Sequence, residues 1–193
     1  MIVLLALAAC NSRVAVGAGI DADVPAPAHY ERAVRDATRE LRLYEDLTTK
    51  LLLRATLLDG AFRAASEAQV AHLLLLEPAL RDARLAASNA ELAASWVFML
   101  SADSQWREDL RFGFGDDQPW RLRLLAGGQS CAGELAEKVE VTPLIEQLYP
   151  HHNGWSTLWQ ARFAACGQGP LVLQVTGPHG TGELAWDTPV GQR

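Results

Sequence analysis

The first pattern of hydrophobic and polar positions in the chain has helical spacing. Between residues 30 and 58, mostly apolar side chains recur at steps of three and four, and Arg and Glu occupy the opposite face. The stripe consists of Val34, Ala37, Leu41, Tyr44, Thr48, Leu51, Ala55 and Leu58. The spacing predicts an amphipathic helix that stops at Asp59-Gly60, because glycine accepts the left-handed conformation that closes a helix.

Two further helical stretches follow this stripe. One contains Phe62, Val70, Leu73, Leu74 and Leu76, and Pro78 must end or kink it because proline lacks an N–H. The next runs over residues 78–94. The stripe is also compatible with a long coiled coil, but Gly60 and Pro78 interrupt it and favour a helical hairpin.

From Trp96 the period of the apolar positions changes to two, which is typical of strands. Short alternating stretches are separated by Gly, Pro and Asp, and the turn Gly177-Pro-His-Gly180 precedes the last one. They cover residues 96–100, 110–114, 120–124, 158–163, 171–176 and 183–186. The chain is therefore predicted to be α+β, with an N-terminal helical hairpin over residues 29–95 and a C-terminal antiparallel β-sandwich over residues 96–190.

Composition and charge narrow the classes of partner. The chain has 193 residues, 49% of them apolar, which is enough to bury a core. Its formal net charge is −6, and Lys50 and Lys138 are its only lysines. This acidic balance argues against a nucleic-acid partner, which requires a basic face.

The first ten residues are uncharged and almost wholly apolar. Ile2 to Ala9 is too short to cross a bilayer, which takes about 20 residues. Leu7-Ala8-Ala9-Cys10 resembles the lipobox of bacterial lipoprotein signals, although the basic residues that normally precede such a signal are absent. The alternative is a buried N-terminal strand or helix that ends in a free Cys10.

The lipobox resemblance implies where the protein resides. In this family the signal is cut before the cysteine, so residues 1–9 are the signal peptide and Cys10 carries the lipid. Residues 10–28, which contain Gly and Pro and lack periodicity, are then a flexible tether to the membrane. Asn11 stands where an Asp marks inner-membrane retention in some bacteria, so the resemblance implies the outer membrane, facing the periplasm.

A second resemblance covers most of residues 30–187. The segments that carry it are Ala55-Thr-Leu-Leu58, Leu148-Tyr-Pro150, a Trp, Arg162-Phe163 and Gly182-Glu-Leu-Ala-Trp186. Together they are similar to uncharacterised bacterial envelope lipoproteins with a helical hairpin and a β-sandwich. The shared positions are typical of cores and turns, so the resemblance implies an architecture and no activity.

The three cysteines fit an exported protein. If Cys10 is lipidated, Cys131 and Cys166 are left to pair in an oxidising compartment. Closing that loop would stabilise the fold by about 3–4 kcal/mol. The alternative is two buried free thiols.

No catalytic or cofactor-binding motif is present in the sequence. His151-His152 and His179 suggest a metal site, but neighbouring strand positions face opposite sides and the flanking residues favour a plain surface loop. Ser101-Ala-Asp-Ser104 and Asp116-Asp117 are interpreted as solvated turns. We therefore expect no metal, no cofactor and no enzymatic activity.

Six tryptophans are many for this length: Trp96, Trp106, Trp120, Trp155, Trp159 and Trp186. Packing in the core is the favoured role, and the alternative is an exposed aromatic surface formed by Trp106, Trp155 and Trp159. The leading hypothesis is a mainly monomeric envelope lipoprotein that binds a protein or scaffolds an assembly. The second is cell-wall glycan binding through exposed tryptophans, and a hydrolase with Ser or Asp beside His is the third.

Overall fold

A computed structural model describes residues 27–107 and 110–187. These residues form an α+β protein with two sheets. In chain order, the elements are α1 (Pro27–Ala37), β1 (Thr38–Glu45), β2 (Thr48–Leu57), α2 (Gly60–Leu74), α3 (Pro78–Ala94), β3 (Ser95–Asp103), β4 (Phe112–Gly113), β5 (Trp120–Ala126), β6 (Gln129–Cys131), β7 (Gly133–Lys138), α4 (Pro143–Leu148), β8 (Thr157–Ala164), β9 (Leu171–Gly177) and β10 (Gly180–Trp186).

The two sheets differ in their pairing. The first sheet has the order β1-β2-β3-β8-β7, and all of its neighbours are antiparallel. The second has the order β10-β9-β5-β4, with β6 also paired to β5. The pairing of β4 with β5 is parallel, so the prediction of a wholly antiparallel sandwich is wrong at this strand.

The hydrophobic residues divide into two layers on either side of the first sheet. Phe98 and Leu100 of β3 pack with Leu124 and Leu173 of the second sheet in a core between the two sheets. The intervening residue Met99 belongs to a second cluster, in which α1, α2 and α4 cover the outer face of the first sheet. Alternation along β3 thus buries both faces of this strand, as the continuous apolar run from Trp96 requires.

The long helix predicted from Tyr30 to Leu58 is wrong beyond Ala37. Residues 38–57 form the hairpin of β1 and β2, and β2 pairs with β3, so this segment belongs to the same sheet as the later strands. Asp46 and Leu47 make its two-residue connection, with Asp46 in the left-handed region at φ 55°. Every second side chain of β2 enters the core between the sheets, namely Leu51, Leu53, Ala55 and Leu57. Leu51 and Ala55 also belong to the helical stripe, so the two patterns share these positions.

Other elements agree with the sequence analysis. The two helical stretches after Gly60 are α2 and α3, which pack against each other as a helical pair. The strands predicted at residues 96–100, 120–124, 158–163, 171–176 and 183–186 are confirmed. Of the strand predicted over 110–114, only the two residues of β4 form a strand. The elements β6, β7 and α4 were not predicted.

The predicted disulfide between Cys131 and Cys166 is present. It ties the end of β6 to the connection between β8 and β9, over 35 positions of sequence. Cys10, the predicted signal peptide and nearly all of the predicted tether lie outside the described residues. Within the described ranges, none of the helices is both long and apolar enough to cross a membrane.

Candidate functional site

One end of the two sheets gathers five connecting segments, and we call this surface the loop end. It consists of residues 45–50, 104–107, 138–142, 153–157 and 177–180. Its parts are joined by polar contacts: the Glu45 carboxylate lies 3.1 Å from His179 Nδ1 and 3.5 Å from Lys50 Nζ. Arg107 donates a hydrogen bond to the Gly154 carbonyl at 2.8 Å. The loop end is therefore a connected surface built from both sheets.

Trp106 lies on the loop end and is 41% exposed. Its ring stacks on the His179 imidazole with centroids 5.4 Å apart, and Lys50 Nζ is 4.6 Å from the indole centroid. A cation above an indole ring is attracted by the negative face of the ring. The side chain is thus held in place by two neighbours while part of it stays open to solvent.

Trp155 is the most exposed tryptophan of the described chain, with 74% of its surface open to solvent. The Asn153 Oδ1 accepts hydrogen bonds from the backbone N–H groups of Trp155 and Ser156, at 2.8 and 3.1 Å. The Ser156 hydroxyl accepts one from the Asn153 N–H at 3.1 Å. This local turn fixes the backbone and leaves the indole facing solvent.

Trp159 has a different environment from the other two candidate tryptophans. It is half-buried at the edge of the core between the sheets, where its ring meets Phe112 edge-on at 5.7 Å. Its Nε1–H donates to the Thr157 hydroxyl at 3.2 Å. The three remaining tryptophans, Trp96, Trp120 and Trp186, are buried in that core. Of the candidate surface, the structure therefore leaves only Trp106 and Trp155 prominently exposed.

A cavity of about 390 Å³ opens on the loop end. Arg107 and Lys138 provide its positive charges, Ser156 and Thr157 provide hydroxyl groups, and its remaining lining is Val139, Val141 and Leu158. Among the described residues that line it, none carries a carboxylate. The sequence analysis noted that Lys138 is one of only two lysines, but no periodicity or motif connected it with Arg107.

A serine–histidine cluster lies beside this cavity and bears on the hydrolase hypothesis. His152 Nδ1 is 2.9 Å from the Ser156 hydroxyl and 3.3 Å from that of Ser101. Burial lowers the pKa of His152, and the negative charge of Glu146 opposes that shift. The N–H groups of Trp155 and Ser156, which flank the hydroxyl, already donate to Asn153. The described contacts of this cluster are therefore those that hold a turn.

The histidines differ from their sequence interpretation. His151 is half-buried against β2, with Nε2 3.5 Å from the Thr56 hydroxyl and a buried Nδ1 that has no partner among the described residues. The prediction of a plain surface loop is therefore wrong for His151. Ser101, interpreted as part of a solvated turn, is buried in β3. Among residues 27–107 and 110–187, no three His, Cys, Asp or Glu side chains are grouped to hold a metal ion.

A second exposed apolar surface lies at the corner between α2 and α3, and we call it the leucine corner. It consists of Leu73, Leu74, Leu75 and Leu80, all of them exposed. Leu75 is 74% exposed and adopts the left-handed conformation, with φ 50° and ψ 48°. Exposed apolar clusters of this kind mark interaction surfaces more often than isolated leucines do.

Two larger cavities lie among the helices. One, of about 510 Å³, lies between α2 and α3 and is lined by buried Arg63, whose guanidinium bonds Glu91 Oε2 at 2.8 Å and Ser88 Oγ at 3.1 Å. The other, of about 540 Å³, includes His29 and Asp187, close to the two ends of the described chain. The first is lined by the ion pairs Arg63–Glu91 and Arg84–Glu67, and neither cavity includes Trp106, Trp155 or Trp159.

Comparisons with known proteins leave the function open. No protein family and no curated protein matches this chain. A solved protein of unknown function from Burkholderia pseudomallei is similar to it, with 13% sequence identity and a TM-score of 0.46. The similarity covers 83% of this chain and 82% of that protein.

Proposed function

We propose that this protein is a lipid-anchored protein of a bacterial envelope that binds another protein through its loop end. The observation that carries the proposal is the exposure of Trp155 and Trp106, two indoles that the sheets do not bury. Tryptophan, tyrosine and arginine dominate the energetics of protein interfaces, and Arg107 follows Trp106 in sequence and contacts Gly154 beside Trp155. The leucine corner supports a scaffolding role, because it offers a second apolar surface.

The anchor in this proposal is a lipid on Cys10. Its basis is Leu7-Ala8-Ala9-Cys10, which has the small residues that a lipoprotein signal carries before its cysteine. The Cys131–Cys166 disulfide supports export, because such bonds persist in oxidising compartments and are rare in the cytosol. Each buried methylene of the lipid contributes about 0.8 kcal/mol, so several acyl chains hold the protein firmly at a membrane.

Cell-wall glycan binding is the second candidate, and the open indole of Trp155 favours it. Sugars stack on aromatic faces, and a glycan platform built on several sugars needs more than one open ring. Trp106 is partly covered by His179 and Lys50, and Trp159 packs on Phe112. These contacts favour a protein partner, which can use indole edges and neighbouring charges as well as open faces.

Site-specific photo-crosslinking in cells that naturally make the protein tests this proposal. Benzoylphenylalanine replaces Trp155 at the loop end and, as a matched control, exposed Arg123 of β5 on the second sheet. We expect a discrete crosslinked protein from position 155 that is absent from position 123. The substitution Trp106→Ala should reduce its yield severalfold, because it removes the neighbouring aromatic contact.

The outcomes separate the two candidates. A crosslink at position 155 that is no stronger than at position 123 contradicts protein binding at the loop end. Sedimentation of the full chain with purified peptidoglycan then decides the second candidate. Co-sedimentation that Trp155→Ala abolishes supports glycan binding, and an unchanged supernatant rejects it.

A further inference from the structure

The charge of the loop-end cavity contrasts with that of the whole chain. The protein has 17 Lys and Arg against 23 Asp and Glu, and eight of the fifteen Lys and Arg side chains within residues 27–107 and 110–187 form ion pairs with carboxylates. Arg107 and Lys138 line one cavity, and neither forms an ion pair with a carboxylate of the described residues. An anionic group that enters this cavity therefore meets two cations that no carboxylate of the described residues neutralises.

The rest of the cavity is apolar with two hydroxyl groups. Val139 and Val141 both line it, while the intervening Glu140 is exposed and does not. This is the alternation expected of an extended segment, which places every second side chain on the same side. The buried side chain of Leu158 completes the apolar part of the lining. A matching ligand carries a negative charge next to an apolar group.

We propose that this cavity binds a carboxylate of the partner protein, within a segment where acidic and apolar side chains alternate. The inference rests on the proposed function, and it specifies the chemistry of the partner at that site. The Arg107 guanidinium offers a planar pair of donors to a carboxylate, and the Lys138 ammonium adds a point charge. Because Arg107 also holds the Gly154 carbonyl, Trp155 lies next to the cavity and contacts the same segment.

The geometry favours a peptide over an anionic membrane surface. Segments that bind acidic lipids present about four to eight basic residues on one face. This cavity has two, Arg107 and Lys138, and its volume of about 390 Å³ suits one or two side chains of a partner. Its concave shape, with Val139 and Leu158 in the lining, fits a protruding side chain better than a flat layer of headgroups.

Fluorescence anisotropy of the full chain with labelled peptides tests the proposal. The probe is a fluorescein-labelled nonapeptide in which leucine and glutamate alternate, and its counterpart has glutamine at every glutamate. We expect the glutamate peptide to bind at least tenfold more tightly than the glutamine peptide. The double substitution Arg107→Gln and Lys138→Gln should abolish this difference, because it removes both cations and keeps similar side-chain sizes.

A matched control keeps the charge change constant. Arg35→Gln with Arg123→Gln removes two exposed cations from α1 and β5, away from the cavity, and should leave the affinity for the glutamate peptide within twofold of the original. Vesicles with one quarter phosphatidylglycerol serve as the membrane probe. Vesicle binding that depends on Arg107 and Lys138, without peptide binding, overturns the proposal.

The remaining outcomes also decide it. Equal affinity for both peptides, or a glutamate-peptide affinity that the Arg107 and Lys138 substitutions leave unchanged, overturns the carboxylate site. A crosslink from position 155 that persists with those results leaves protein binding at the loop end intact. If the crosslink from position 155 is absent, the proposed function is contradicted. Failure of the carboxylate site and failure of protein binding at the loop end are therefore distinguishable.

Discussion

The burial of His151 makes the stability of the whole protein depend on pH. Its removal from water lowers the pKa of the imidazole from 6.5 to about 4, and the positive charges of Arg54 and His152 act in the same direction. The Arg54 guanidinium donates to the His151 carbonyl at 3.2 Å, which keeps its charge close to the ring. The neutral imidazole is therefore the form that the fold accommodates.

We expect stability to fall when His151 must accept a proton. The unfolded chain binds this proton near pH 6.5, and the folded protein binds it only near pH 4. The contribution of neutral His151 to the free energy of unfolding is therefore complete above about pH 6.5 and is lost as the pH falls towards 4. Between about pH 7 and about pH 4.5 the loss from this group should be about 2 kcal/mol.

Urea unfolding of the original protein and His151→Gln at these two pH values measures this contribution. Glutamine cannot take up a proton, so the variant should lose about 2 kcal/mol less than the original protein on acidification. Protonation of carboxylates changes the free energy of unfolding equally in both proteins, so the difference between the two proteins reports His151. Equal losses in the two proteins would contradict the assignment to His151.

At the scale of elements, the α2–α3 corner contains a residue in an unfavourable conformation. Leu75 follows the last residue of α2 with φ 50°, and its N–H caps the helix by bonding the carbonyl groups of Ala71 and His72. A left-handed conformation costs a non-glycine residue about 1–2 kcal/mol. Because 74% of Leu75 is exposed, packing within the chain offsets little of this cost.

The substitution Leu75→Gly should raise the free energy of unfolding by about 0.5–1 kcal/mol, because glycine adopts this conformation without strain. Leu74→Gly is the matched control inside α2, where glycine should instead lower stability by about 0.5–1 kcal/mol. Urea denaturation of both variants measures the two effects. If both substitutions were destabilising by the same amount, the backbone of Leu75 would not carry the cost we assign to it.

The hairpin of β1 and β2 shows why a helical pattern misled the sequence analysis. Leu51 and Ala55 are four apart, but they also lie on one face of a strand together with Leu53 and Leu57. The stripe also includes Tyr44, which is exposed in the hairpin. The sequence fits both the helical spacing and the strand period of two. The segment forms a strand because it pairs with β3, whose two faces are both buried. The β3 partner of each β2 residue lies 41 to 51 positions further along the chain, and no local pattern reveals it.

At the scale of the whole molecule, the sequence predicts the parts of the candidate site that carry a strong local signal. The number of cysteines, together with the predicted export, predicts a pair between Cys131 and Cys166, and the disulfide is present. Trp155 and Trp106 are surface candidates in the sequence, and both are exposed. The cavity could not be predicted, because Arg107 follows β3 and Lys138 ends β7, and the two segments come together only through the pairing of β8 with both strands.

In the proposed function, the anchor holds the protein at a membrane, and the loop end and the leucine corner are its two binding surfaces. The loop end combines indoles with two cations, Arg107 and Lys138, and the exposed leucines of the leucine corner are apolar. The helices on the outer face of the first sheet support the leucine corner, while the turns between strands form the loop end. This division lets one fold present two chemically different surfaces.

The intact mass of the full chain, isolated from membranes of a bacterial host, tests the proposed lipid anchor most directly. We expect a product that lacks residues 1–9 and carries acyl chains on Cys10, and an unprocessed product from Cys10→Ala. The same unacylated mass from both proteins, recovered in the soluble fraction, would contradict membrane attachment through Cys10.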